Sequence, residues 1–439
     1  MTPLAFERLY GFDERVCEGS YYPSAPLRVE EGDCVGVVLL GAGGPKSLSD
    51  VESFLYALYM DPVRVDLPVD GRLRHWLSRT LARYRTPRVQ SEYELIGGGT
   101  PMPRLAREQA ESLQRHLQDR YGTPTGTDFR VYVGMRYGSP SCEDARAQMQ
   151  TDGVDKVVLL PIYPQYAQGT SGSLMAYWKA LDAQTTSANW PTTSVTEFAA
   201  NPKYIQALGE RIDEGLQRFR GGRQDEVRLL FSAHGASRHE TQDARDPFCY
   251  HVQATVQEVM RRRREERSAR IAFRETEGWG APMAPTTEAA LTALAEEGTA
   301  PVLVVPVSLV TDHIDTRYTL DIQARARAHS LGIERFEVAS GLNTHPLLIE
   351  ALEEAVGAQL DLPVDVNQLR VGGNGALQTY ALDPPAESPR LRLRSHLPGC
   401  PEVPPKRRPR RWKKDDEREG PSVMGGEDAV ADEHPRRES

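Results

Sequence analysis

The sequence predicts an α/β protein made of two similar halves, each a doubly wound, Rossmann-like parallel sheet with helices on both faces. Three observations carry that prediction. Short apolar runs recur along the chain with amphipathic helical stretches between them, the rhythm of parallel sheets covered by helices. The runs are nearly continuous rather than alternating, which marks strands buried on both faces. The rhythm restarts near residue 195, so two halves fit better than one large sheet. At 439 residues the chain is long enough for two substantial cores. We expect an N-terminal extension over 1–32, a first half over 33–190, a second half over 191–358, and a low-complexity tail over 359–439.

The first buried strand is Val35–Leu40, which opens into the glycine-rich stretch Gly41–Ser49 and a helix over 50–59 closed by Asp61-Pro62. Ser47 or Ser49 is suited to cap that helix. A glycine-rich strand-to-helix loop suggests phosphate binding, but neither the dinucleotide nor the P-loop spacing is met. A loop hugging a flat ligand fits better. Helical stretches follow near 70–84 and 103–120, interrupted by Ile96-Gly-Gly-Gly-Thr-Pro-Met102, where the backbone must turn sharply or approach something closely. Next come a strand at Val131–Tyr137, a helix near 141–150 and a strand at Lys156–Pro161. The second cycle has a short strand at Ser194–Phe198, a helix over 202–219 and an apolar strand from Val227 running into Ser232-Ala-His234-Gly235. It continues with a basic helix (251–267), a strand at 270–274, a helix at 287–297, and strands at Pro301–Pro306 and Arg335–Ser340, each followed by a helix.

Composition narrows the function classes. Hydrophobic content of 39% and charged content of 26% fit a globular protein, and a net charge of −9 gives no global reason to expect nucleic acid. No run of eighteen apolar residues suggests a membrane-spanning helix, and the N-terminus reads as no secretory signal. Cys17, Cys34, Cys142, Cys249 and Cys400 are scattered and contain no Cys-x-x-Cys pair, which argues against a disulfide framework and a cysteine-held metal centre. A reducing cytoplasm is the simplest setting. Residues 385–439 carry little to bury, and we expect the tail to be disordered. Its basic run, Lys406–Lys414, is open to peripheral contact with an anionic membrane or to being plain solvated chain.

Ligand crevices in open α/β sheets lie at the carboxyl ends of the strands, where His234 falls. A histidine there can simply bond to backbone, so its partners matter. The stretch Val310–Gln323 follows the strand ending at Pro306 and brings Asp312, His313 and Asp315 to the same edge. If a helix begins near Asp315, then Asp315, Thr319 and Gln323 share one face. Helix capping explains one acidic residue of this set. A second strand-end imidazole beside two carboxylates is more than capping needs, and suits a divalent metal or proton transfer near neutral pH.

From about residue 34 to 357 the chain resembles the ferrochelatases, which insert ferrous iron into a porphyrin to make haem. Seven segments carry the resemblance in order: the opening through Gly44-Pro45 with Asp61-Pro62; Ile96–Pro101; Met135-Arg-Tyr137; Tyr163–Tyr166 with Thr170–Ser173; Phe231–Gly235 with Asp246–Phe248; Thr311–Thr316; and Leu342-Asn343. The resemblance implies two chelatase-type halves with the porphyrin in the cleft between them. It implies His234 and Asp315 as the catalytic and metal-side pair, and Asp312, His313, Thr319 and Gln323 along a metal or proton path. Gly43, Gly44, Pro45, Arg136, Tyr137 and Tyr166 would line the porphyrin. The substrates implied are Fe²⁺ and protoporphyrin IX or coproporphyrin III, with no further cofactor required.

This sequence also departs from the family's pattern. Asp315 stands where the family has glutamate, and its side chain is shorter by one bond, about 1–1.5 Å. Thr319 and Gln323 replace glutamates, Arg317 replaces leucine, and Gly41-Ala42 stands where an asparagine and a large apolar residue are common. The cysteine quartet that holds a [2Fe-2S] cluster in some members is missing, so no cluster is expected. These departures keep a second reading in view, a non-catalytic porphyrin or haem carrier or sensor built on the same fold. The sequence leaves the oligomeric state open.

Overall fold

The computed structural model describes residues 1–11, 13–22, 25–65, 67–184, 190–219, 224–234, 246–264, 267–274, 283–298, 300–363, 370–371 and 377–378. Most of the tail, including Lys406–Lys414 and Cys400, lies outside them, as do Gly235 and the residues after it up to 245. Within the expected tail, β9 (Arg370–Val371) and β10 (Leu377–Gln378) form a short antiparallel pair.

All eight strands expected before the tail are present. The first sheet has the order β2-β1-β3-β4, from Asp128–Tyr137, Cys34–Gly43, Lys156–Pro161 and Thr192–Ser194. The second repeats it as β6-β5-β7-β8, from Ala269–Phe273, Arg228–Ala233, Val302–Pro306 and Phe336–Val338. Every pair in both sheets is parallel. Both central strands are almost wholly buried, as helices on both faces require. A hydrophobic cluster continues from Val37 and Leu39 of β1 through Phe198, Tyr204 and Leu352 to Phe231 of β5 and Val305 of β7. The helix Pro346–Ala358 joins the halves, packing on both Pro202–Gln217 and Met102–Leu117.

Four local differences from the sequence reading have physical causes. β1 runs on through Gly41–Gly43, so the glycine stretch begins as strand rather than loop. Gly43 pairs with Tyr137 at φ +78°, and a Cβ there would lie 2.6 Å from the Tyr137 carbonyl oxygen. Gly99 closes against the Lys46 carbonyl oxygen, while the Thr100 amide donates to Pro45 O at 2.9 Å. The glycines thus let the chain approach itself. The helix expected over 70–84 extends over Gly71–Glu94 and through Pro87, held by a face that buries Ala82, Val89 and Tyr93. No element was legible before residue 33, yet helices Pro3–Leu9 and Glu14–Glu18 bury Phe6, Val16 and Cys17. They are too short for periodicity to reveal. Lastly, the strand expected over Ser194–Phe198 sits at Thr192–Ser194, although Val195 N still bonds Leu159 O at 2.9 Å.

Candidate active site

β5 delivers His234 to the carboxyl edge of the second sheet. On one side β6 is followed by Arg274, whose amide extends the ladder by donating to Ala233 O at 2.9 Å. On the other side β7 leaves the sheet after Pro306, and the chain reaches a π-helix at Asp315–Ala324 that continues as the α-helix Arg325–Ser330. Asp315 opens the π-helix and points back at the strand ends. His234 Nδ1 lies 3.2 Å from Asp315 Oδ2, and Arg274 Nη1 lies 2.5 Å from Asp315 Oδ1. The Arg274 contact is an ion pair without hydrogen-bond alignment, so among the described residues Oδ1 has no aligned donor. The Asp315 amide donates to His313 Nδ1 at 3.2 Å. His313 Nδ1 also lies 3.3 Å from Asp315 Oδ2.

The charges of this group follow from its surroundings. Burial opposes ionisation of Asp315, but the Arg274 cation, the neighbouring His313 and the His234 hydrogen bond outweigh it. They hold the carboxyl well below its ordinary range. Burial pushes the His234 pKa below the ordinary imidazole value; Asp315 opposes that shift, while Arg64 and Arg274 add to it. His234 is therefore a neutral ring beside a carboxylate. An ionised carboxylate only accepts, so Nδ1–H donates to Asp315 and Nε2 keeps a free lone pair. The His234 side chain is 15% exposed, enough for a substrate to touch. Beside the pair is a cavity of about 20 Å³, lined among others by Ser232, Ser308, Thr316 and Thr319. It has room for a water molecule or a bare ion and not for a macrocycle.

The structure brings His234, His313, Asp315 and Thr319 together and leaves other expected residues elsewhere. Asp312 is tied into its own loop: Thr316 Oγ1 and Asn343 Nδ2 each donate to it at 3.1 Å, and Arg317 pairs with it at 2.6 Å. Gln323 is exposed. The sequence reading assumed α-helical spacing. In the π-helix the residue five along from Asp315, Leu320, turns inward instead, which carries Gln323 off that face. Among the described residues no three His, Cys, Asp or Glu side chains are arranged to hold a metal ion.

Arg136 and Tyr137 converge on Asp61 rather than on His234. Asp61 is fully buried and accepts from the Tyr137 hydroxyl at 2.6 Å and the Ser173 hydroxyl at 2.7 Å, with Arg136 paired at 3.1 Å. The Arg136 guanidinium is sandwiched by Phe6 and Tyr177, 4.6 and 3.7 Å from their ring centroids. Three of the sequence motifs therefore meet in one buried knot, which also anchors the N-terminal helix. Tyr166 is fully buried, and its hydroxyl donates to the Val16 carbonyl. Gly43, Gly44 and Pro45 are buried beneath the same edge.

Two residues of the first half outside the expected site set, Arg64 and Tyr163 of the Tyr163–Tyr166 motif, sit within electrostatic reach of the site. Arg64 lies close enough to act on His234, and Tyr163 feels both Arg64 and Asp315 while its hydroxyl accepts from Ala42 N at 3.1 Å. Arg64 follows the Asp61-Pro62 pair by two residues, the one signal that pointed near it. Leu309 packs on the first half's core, and Ile314 packs against the cluster containing Phe54, so the two carboxyl edges face each other.

Two facing parallel sheets with a buried imidazole–carboxylate pair at their edges define an α/β enzyme of the chelatase type. The ferrochelatase family model matches residues 34–360, and the chain belongs to the ferrochelatase family. It is 37% identical over 334 residues to a ferrochelatase of Synechococcus elongatus, covering 75% of this chain and 83% of that one. It is 37% identical over 320 residues to a ferrochelatase of Geotalea daltonii, covering 73% and 96%. Bacillus subtilis SirB, solved with Fe³⁺, aligns over 74% of this chain and 95% of its own at 12% identity, with a TM-score of 0.42. Among the described residues no helix is long and apolar enough to cross a membrane.

Proposed function

We propose that this chain inserts Fe²⁺ into a porphyrin with His234 as the proton acceptor and Asp315 as its ionised partner. Insertion removes two pyrrole N–H protons as the dication enters the ring, so total charge is conserved and no redox cofactor is required. The His234 Nε2 lone pair takes the two protons from the macrocycle in turn, passing the first to solvent before accepting the second, and the carboxylate on Nδ1 stabilises the imidazolium that forms each time. Asp315 Oδ1, the oxygen that His234 does not occupy, is the one left to meet an incoming cation. Arg64 and Tyr163 belong to the wall facing His234 and offer a cation and a hydroxyl to the porphyrin's carboxylates. The observation that carries this reading is the neutral, partly accessible imidazole hydrogen-bonded to a buried ionised carboxylate.

The experiment is anaerobic metalation of protoporphyrin IX and, separately, coproporphyrin III with Fe²⁺, followed in the Soret band. Turnover well above the uncatalysed rate is expected, and the better substrate identifies the porphyrin. A Soret shift on binding without metalation would favour the carrier or sensor reading instead. Among the described residues Cys17, Cys34, Cys142 and Cys249 form no disulfide, which suits a reducing cytoplasmic setting. Membrane contact through Lys406–Lys414 predicts that deleting residues 403–439 weakens binding to anionic liposomes.

A further inference from the structure

The pairing of Arg274 with Asp315 has a consequence for the metal. A guanidinium already sits where the carboxylate would meet a dication, 2.5 Å from Oδ1. His234 occupies Oδ2, so both carboxylate oxygens face a neighbour. The described charged groups around this spot are Asp315, Arg274 and Arg64, with the His313 ring 3.3 Å from Asp315 Oδ2. One carboxylate against two guanidiniums is a net-positive surrounding for an entering dication. Arg274 is also well placed to move. Its backbone is fixed by the bond to Ala233 O, but its side chain is 19% exposed and bonds Asp315 without good alignment.

We propose that Arg274 is a positioning residue that occupies the cation place at Asp315 and sets the threshold for metal entry, so that a divalent ion must displace it. The inference rests on Asp315 being the metal-side partner of His234. In the protein without porphyrin, Arg274 neutralises the carboxylate and keeps stray divalent ions from settling on the pair. During turnover the dication exchanges with the guanidinium, which swings toward solvent. The sequence explains why this chain needs such a device. Asp315 is too short to reach far beyond the strand edge, and the flanking Thr319 and Gln323 supply no second carboxylate. Metal handling is thus concentrated on one carboxylate, which Arg274 covers.

The test is Zn²⁺ binding to the full-length, porphyrin-free protein by calorimetry, with steady-state metalation alongside. Zn²⁺ alone avoids oxidation of iron. Arg274→Gln and Arg274→Met should each bind Zn²⁺ at one added site at least tenfold more tightly than wild type. Both should lower the KM for metal while leaving the KM for porphyrin within twofold. Arg274→Lys keeps a cation beside Asp315 and should behave as wild type, and Arg274→Gln combined with Asp315→Asn should lose the added site. Unchanged or weaker Zn²⁺ binding in folded Arg274→Gln or Arg274→Met overturns the proposal. So does a gain that survives Asp315→Asn, or one that Arg274→Lys shows equally. The underlying reading fails separately: it would be lost if Asp315→Asn in the wild-type background left metalation unchanged.

Discussion

Replacing Asp61 by asparagine distinguishes a structural knot from a porphyrin subsite. Asp61 has no exposed surface and takes hydroxyl donors from Tyr137 and Ser173 at 2.6 and 2.7 Å. It also accepts the Val63 amide at 2.9 Å and pairs with Arg136 at 3.1 Å. The amide keeps the shape and an acceptor oxygen but leaves the Arg136 charge buried without its counter-charge. Breaking a buried pair on one side costs about 3–5 kcal/mol. The aromatic rings on both sides of Arg136 offset part of that, by about 0.5–2 kcal/mol. We therefore expect Asp61→Asn to lose about 2–4 kcal/mol of unfolding free energy, whereas Tyr137→Phe, which removes one charge-assisted hydrogen bond, loses about 1.5–3 kcal/mol. Urea unfolding followed by circular dichroism reads both. A loss below about 0.5 kcal/mol, the range of an ordinary surface substitution, would refute the knot. It would return Arg136 and Tyr137 to the ligand, above all if porphyrin affinity fell at the same time.

Three other expectations follow from the same geometry. Because burial lowers the His234 pKa, the acid limb of kcat/KM for porphyrin should fall below the ordinary imidazole value of 6.5. Arg274→Gln should move that limb up, since Arg274 helps keep the ring neutral; a limb at or above 6.5 in wild type would contradict the buried neutral ring. Gly43→Ala places a Cβ 2.6 Å from the Tyr137 carbonyl at φ +78°, and should cost more than about 1 kcal/mol from the left-handed backbone alone, read by thermal unfolding. Gln323→Ala should change neither metal KM nor stability beyond about 0.5 kcal/mol, because the side chain points to solvent.

The sheets were legible because their strands are short, apolar and separated by helices of regular period, a local signal that tertiary contacts reinforce. His234, His313 and Asp315 were legible because strand ends are where α/β sheets place chemistry. What was missed depends on contacts across the fold. Arg274 is one arginine after a strand, and nothing local marks it as the partner of a carboxylate 41 positions later. The Asp61 knot gathers residues from four separate segments, so sequence alone assigned Arg136 and Tyr137 to the ligand and did not join them to Asp61 and Ser173. The π-helix at Asp315 shifts every face assignment beyond the first turn. Thr319 survived that shift because it lies close to the helix start, and Gln323 did not.

The most direct test of the central claim is anaerobic Fe²⁺ metalation by His234→Ala beside wild type, with porphyrin binding read from the Soret shift of the same samples. The account predicts a loss of about 10²–10⁴ in kcat, the range for removing a general base, with the Soret shift on binding retained. Turnover by His234→Ala within a few-fold of wild type would contradict it and place the proton acceptor elsewhere.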